Sequence, residues 1–409
     1  MLHLIGPFTQ ILPLTDLPTR GSIADDELVI VENGGIVVED GKVVEVGNFT
    51  TLREKYESAT VQVVGQAMVA LPGLIDAHTH ICFAGSRAMD FAARNAGKSY
   101  LEIAAAGGGI WSTVQHTRAA SEEKLAKLTR KRLDVLLRRG ITTVEIKSGY
   151  GLSVEQELKQ LRAIQKAGQG HVVDVVSTCL AAHMKPRDFD GEAEAYLEHI
   201  LQDLVPIVEA EQLAQRFDIF IEQSAFTPDQ AISYLTKLKE RGFTLTVHGD
   251  QFTVGGSAVA VECGALSVDH LEVSGEEEAA LLAQSDTIPV VLPGATIGLG
   301  CPWGKARLML DAGCALAIAS DWNPGSAPQG NLIAQAGQLA AFEKLSTAEV
   351  FAGLTERAAR ALGFSDRGTL GGGQIADIVA FPTTDYREIL YQQGSLGPSQ
   401  VWKAGAPQL

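Results

Sequence analysis

Two histidines separated by a single residue close the stretch Leu71-Pro-Gly-Leu-Ile-Asp-Ala-His-Thr-His80. The apolar run 71–76 reads as a buried strand, and residues i and i+2 of a strand project to one face. His78 and His80 therefore look the same way from one rigid edge, as two imidazole ligands of a first-row divalent metal would. His248 ends the apolar run 244–247, and the carboxylate Asp321 follows the run 315–319. Three nitrogens and one oxygen suit Zn²⁺ or Fe²⁺ with a position left for water. Such an ion lowers the pKa of bound water from about 15.7 to about 7, on the order of 12 kcal/mol in favour of hydroxide at neutral pH. Asp321 is also placed to take a proton from the attacking water, and His270, after the run 266–269, to polarise a scissile carbonyl or orient the water.

The elements that must hold these residues alternate in type. Eight apolar runs read as strands, at 71–76, 142–146, 174–178, 217–221, 244–247, 266–269, 289–292 and 315–319. Amphipathic stretches between them, such as 122–138, 154–166, 193–204 and 229–241, carry apolar residues at helical spacing. Eight strand–helix repeats point to an α/β fold of the closed (β/α)₈ TIM-barrel type, with a doubly wound open sheet as the alternative. In such a barrel, chemistry belongs at the carboxyl ends of the strands. Five of the nine histidines (78, 80, 183, 248 and 270) fall there, whereas His3, His116, His171 and His199 do not. β-rich runs at 27–32, 35–39, 42–46 and 61–64, with another ending near 381, predict a small β-sandwich domain built from both chain termini. The expected division is 1–69 and 356–409 for that domain and 70–355 for the barrel.

The totals exclude other classes. The 409 residues carry a formal charge of -16 and no basic stripe, which argues against a nucleic-acid partner. No apolar run approaches a membrane span. Five scattered cysteines with no C-x-x-C pair, and a start without a signal-like apolar core, read as reduced thiols in a cytoplasmic protein.

The segments Pro72–His80, His248, His270 and Asp321, flanked by strands from both ends, resemble the amidohydrolase superfamily. A closer similarity, to the branch that opens imidazolone rings, rests on Phe83-Ala-Gly-Ser-Arg87, Gly107-Gly-Gly-Ile110, Glu145-Ile-Lys-Ser-Gly-Tyr-Gly-Leu152, His248-Gly-Asp-Gln251, Asp269-His-Leu-Glu272 and Ser320-Asp-Trp-Asn-Pro-Gly-Ser326. The resemblance implies one divalent metal, Zn²⁺ or iron, on His78, His80, His248 and Asp321, with His270 and Asp321 catalytic. It implies substrate or product contacts from Arg87, Tyr100, Tyr150, His183, Gln251, Asn323, Gly325 and Ser326. The implied reaction is hydrolysis of the cyclic amide of 4-imidazolone-5-propanoate to N-formimidoyl-L-glutamate in histidine breakdown, by a homodimer. A guanidinium fork at Arg87 is the expected partner of a propionate carboxylate. Many superfamily deaminases carry Glu three residues after the strand-5 histidine; Gln251 can orient a substrate there but cannot relay a proton. The run-4 end Phe220-Ile-Glu-Gln223 lacks the Lys that bridges two metals in binuclear members, leaving Glu222 as the residue that would reverse the choice of one metal. Another cyclic-amide hydrolase, a heterocycle deaminase and a non-enzymatic metal scaffold are the competing readings.

Overall fold

A computed structural model describes residues 1–99, 102–103 and 106–408. Eight parallel strands form one continuous ladder: β1 (Leu74–Asp76), β2 (Ile141–Lys147), β3 (Asp174–Ala182), β4 (Arg216–Ile219), β5 (Thr244–Gly249), β6 (Ser267–His270), β7 (Ile288–Val291) and β8 (Ala317–Ile318). Each pairs with the next in chain order. The ends of the ladder meet just past β1 and β8, where Thr79 and Trp322 form a parallel bridge. The N–H of Asp321 donates to the His78 carbonyl at 3.0 Å, and the N–H of His80 to the Trp322 carbonyl at 2.9 Å. The sheet is therefore closed by the very residues that carry the metal-ligand pattern.

Helices cover the outside because their sequences supply both a cap and an apolar stripe. Glu122–Arg138 starts at Ser121, whose side chain accepts the Lys124 N–H, and buries Leu125, Leu133, Leu136 and Leu137 against the barrel. Pro228–Glu240 starts with a capping box between Thr227 and Gln230. The helix expected over 193–204 runs on through a wider turn at Ile200–Leu204 to Ala210. Among the described residues no helix is long and apolar enough to cross a membrane.

Both chain ends contribute to a second, mixed sheet. Its strand order is Ala406–Pro407, Gln400–Lys403, Ile378–Phe381, Val69–Pro72, Leu2–Ile11, Val31–Glu39 and Lys42–Asn48, with Thr60–Val63 also paired to Leu2–Ile11. The run expected as one strand over 71–76 is two strands in two sheets. Gly73 is the break: a Cβ there would lie 2.3 Å from Thr142 Oγ1, so only glycine lets the chain pass this closely from one sheet to the other. Of the strand expected at 27–32 only Val31 and Glu32 lie in a strand, as the start of Val31–Glu39; Glu27 instead folds back to accept the Ala24 N–H in a short turn. Leu2–Ile11, the strand that meets most partners, escaped notice because Gly6-Pro7 interrupts it. The structure absorbs that pair at a register shift between Ile5 and Phe8.

The mixed sheet has its own core of Ile5, Phe8, Ile11, Ile36, Met68, Ile378 and Trp402, among others. Trp402 is fully buried and meets Phe8 edge-on at 5.8 Å. Trp402→Ala is expected to lower the unfolding free energy by about 3–5 kcal/mol in a urea titration; a loss below about 1 kcal/mol would mean this sheet contributes no packed core.

Candidate active site

The histidines converge because β1, β5 and β8 end on the same side of the barrel. His78 Nε2 lies 3.1 Å from His80 Nε2, and His80 Nε2 lies 3.3 Å from His248 Nε2. Asp321 Oδ1 is 3.6 Å from His78 Nε2 and 3.5 Å from His80 Nε2. All four residues are buried.

Their protonation follows from what stands behind them. Asp269 Oδ2 lies 2.7 Å from His78 Nδ1, and Asp218 Oδ2 lies 2.8 Å from His248 Nδ1. A carboxylate at Nδ1 fixes the proton there and leaves Nε2 as a bare lone pair. Burial, reinforced by neighbouring cations and imidazoles, holds His78 and His80 well below the usual histidine range, so both rings are neutral. The bare Nε2 atoms of His78 and His248 both face His80 Nε2, an arrangement that suits a cation between the three rings. Four of the separations among these donor atoms are 3.1–3.6 Å, the spacing of neighbouring ligands around an ion bound at about 2.0–2.2 Å. The donor set of three imidazoles, with the Asp321 carboxylate beside two of them, fits a divalent metal.

The carboxylates behind the histidines are themselves held. Lys147 Nζ, at the end of β2, lies 2.8 Å from Glu145 Oε2, 2.8 Å from Asp218 Oδ2 and 3.3 Å from Asp269 Oδ2. Arg216 Nε lies 3.1 Å from Glu145 Oε1. Burial alone would raise Asp218, but His248 and Lys147 hold it well below the usual carboxylate range. Sequence reasoning assigned no role to Asp218, Asp269, Glu145 or Lys147. The available signal was charge inside apolar strands, as in Phe217-Asp-Ile219 and Val144-Glu-Ile-Lys147.

A cavity of about 560 Å³ opens beside the histidines. It is lined by Arg87, Tyr150, His183, Gln251, His270, Asp321, Asn323, Gly325 and Ser326, together with His80 and His248. Tyr100 lies outside the described residues. His183 donates from Nδ1 to the Gly149 carbonyl at 3.0 Å and stacks on His80, with ring centres 5.7 Å apart. Burial pulls its pKa down to about 4, so the ring is neutral with Nε2 as an acceptor. Burial also works against charge on His270, but Glu272 Oε1 at 3.3 Å outweighs it and raises the pKa. Asp321 shifts upward, through burial, despite facing His270.

Two loops are tied by their own side chains. Asn323 Oδ1 accepts the N–H groups of Gly325 and Ser326 at 2.7 and 2.8 Å, and Asn323 Nδ2 donates to the Asp321 carbonyl at 2.7 Å. Buried Asp250 accepts the N–H groups of Gly255 and Gly256 and so fixes the loop that carries Gln251. Glu222 faces away from the histidines into this second loop, accepting the Phe252 N–H at 3.0 Å and the Thr253 hydroxyl. Of the other four histidines, His3 lies in the strand Leu2–Ile11, His116 meets the Ser112 carbonyl, His171 Asp134 and His199 Asp203.

The amidohydrolase family model matches residues 109–407. The chain is 42% identical to the imidazolonepropionase of Rubrobacter xylanophilus over 383 residues, 93% of this chain and 92% of that one. It is 38% identical to the imidazolonepropionase of Symbiobacterium thermophilum over 404 residues, 97% and 94% of the two chains. The chain belongs to the imidazolonepropionase family of amidohydrolases. Among solved structures, a guanine deaminase of C. acetobutylicum with bound guanine superposes with a TM-score of 0.73 at 15% identity, covering 100% of both chains. An adenosine deaminase of Xanthomonas campestris with bound zinc gives 0.71 at 18% identity, over 99% of this chain and 92% of that one. At such identities the likeness is one of fold.

Removing a carboxylate behind a histidine frees its ring and its tautomer. Asp269→Ala and Asp218→Ala are each expected to weaken divalent-metal binding by about 10–100-fold in a competitive chelator titration, with the four ligands left in place. Unchanged affinity in both would show that the histidines need no orientation from below.

Proposed function

We propose that this chain hydrolyses the cyclic amide of 4-imidazolone-5-propanoate to N-formimidoyl-L-glutamate, using one divalent ion, Zn²⁺ or Fe²⁺, on His78, His80, His248 and Asp321. When bound, the ion supplies Lewis acidity, acidifying a coordinated water and polarising a carbonyl. The observation that carries the reading is a single cavity lined both by the convergent histidine–aspartate group and by Arg87. A metal-type donor set and a guanidinium fork sharing one space support hydrolysis of a substrate that carries an anionic arm.

Each side chain then has a task that its surroundings support. Asp321, whose carboxyl is raised by burial, takes a proton from the attacking water and returns one to the ring nitrogen as the C–N bond breaks. His270, kept basic by Glu272, donates to the carbonyl oxygen as negative charge collects there. Neutral His183 accepts a ring N–H at Nε2. Arg87 holds the propionate, and the Asn323–Ser326 turn and Tyr150 wall the product side. Gln251 orients the ring without exchanging protons, which distinguishes this chain from deaminases that use Glu.

A count of one ion has its own support. Two other buried groups bring ligand atoms within 4.8 Å of one another, His78 with Glu145 and Asp269, and Asp218 with His248 and Asp269. Lys147 already supplies positive charge among these carboxylates, and Glu222 is spent on loop N–H groups.

Purified protein is expected to consume imidazolonepropionate, followed by loss of the ring absorbance, to lose that activity on chelation and to regain it with Zn²⁺ or Fe²⁺. His270→Ala and Asp321→Asn should each lower kcat by about 10²-fold or more. Protein that leaves this ring intact yet releases ammonia from an aminated heterocycle would reverse the reading in favour of a deaminase.

A further inference from the structure

Arg87 stands immediately before the helix Ala88–Asn95, and Asp90 lies in its first turn. Asp90 is 7% exposed. One oxygen, Oδ2, accepts two hydrogen bonds: from Arg87 Nε–H at 2.8 Å and from the backbone N–H of Gly109 at 2.8 Å. The other, Oδ1, is packed so closely that a Cβ on Gly108 would come within 2.5 Å of it. On the far side, a Cβ on Gly325 would lie 2.5 Å from Arg87 Nη1. A side chain at either glycine would displace the pair.

A guanidinium has five N–H donors in a planar fork. In Arg87, whose side chain is 13% exposed, Nε–H is the only donor with a hydrogen-bond partner among the described residues. Among the described residues the Nη edge thus has unpaired donors at the cavity wall, an arrangement that favours an incoming carboxylate.

We infer that Asp90 is a positioning residue that sets specificity for a substrate arm ending in a carboxylate. By holding Nε, it turns the Nη edge of Arg87 toward the cavity, and by holding Gly109 N–H it couples that orientation to the 107–110 loop. The inference rests on the role proposed above for Arg87. It assigns to Asp90 the direction of the fork and not merely the stability of a helix start. The acceptor oxygen, more than the charge, is what fixes the geometry, so an amide oxygen in the same place serves nearly as well.

The test compares kcat/KM for imidazolonepropionate and for its methyl ester, whose arm carries no charge, in the metal-loaded enzyme. The wild type is expected to favour the acid. Asp90→Ala should cut that preference by about tenfold or more, through the acid alone, whereas Asp90→Asn should keep it within about threefold. If Asp90→Ala does not yield folded protein, Gly108→Ala, which pushes the carboxylate aside, should reduce the preference in the same sense. An equal fall for acid and ester, or an unchanged preference in both Asp90→Ala and Gly108→Ala, would overturn the inference, as would an Asp90→Asn enzyme as impaired as Asp90→Ala. A wild type that does not distinguish acid from ester would instead remove the Arg87 reading, and the role of Asp90 with it.

Discussion

An ammonium group with no exposure to water lies directly beneath the histidines. Lys147 sits within 3.3 Å of Glu145, Asp218 and Asp269, all fully buried. Desolvation pulls its pKa down, but the three carboxylates more than reverse this, and the group stays charged. The dependence is mutual. Without the cation, Asp218 and Asp269 would be closely spaced buried anions that repel one another and move apart. They would then no longer hold the Nδ1 protons of His248 and His78, and the lone pairs would lose their common aim. Buried charge of this kind adds little net stability compared with apolar packing. Its value here lies in fixing tautomers and ring planes.

The barrel makes the arrangement affordable. Glu145 on β2, Asp218 on β4 and Asp269 on β6 come from alternate strands, which point into the same interior layer. In most barrels branched aliphatic residues fill such a layer; this one devotes it to charge and places the site on top. Above it the backbone departs from ordinary strand geometry. His270, Leu271 and Asp321 have φ values of +93°, +70° and +51°, in the left-handed region that non-glycine residues seldom occupy. Hydrogen bonds across the closing seam, from Asp321 N–H to His78 and from His80 N–H to Trp322, hold the Asp321 turn, and Leu271 N–H holds the other by donating to the Gly249 carbonyl. Barrel closure and the placement of the His78, His80 and Asp321 side chains are thus one structural event.

Much of this was legible in the chain. Period and length revealed the eight barrel strands, and the rule that chemistry gathers at strand ends picked out His78, His80, His183, His248, His270 and Asp321. The structure places all six around one cavity or its floor. What stayed hidden had no local signature. Asp218 works only through a histidine thirty positions away and a lysine seventy-one away, and nothing within Arg216-Phe-Asp-Ile219 reports either neighbour. The strand Leu2–Ile11 was masked by Gly6-Pro7, because a register shift that tolerates proline depends on the partner strand. The division of 71–76 between two sheets turns on the approach of Thr142 to Gly73, which is likewise a fact of packing. Nothing in Arg87-Ala-Met-Asp90 reports the two hydrogen bonds that Asp90 accepts from Arg87 and from distant Gly109.

The central claim is that carboxylate-oriented imidazoles and Asp321 define a single cation site at the mouth of the barrel. Metal-edge X-ray absorption on stoichiometrically loaded protein, with metal content determined on the same sample, tests it most directly. The expected result is one ion per chain with three imidazole nitrogens and at least one oxygen at about 2.0–2.2 Å. Two ions per chain, sulfur in the coordination shell, or a spectrum with fewer than three imidazoles would contradict it.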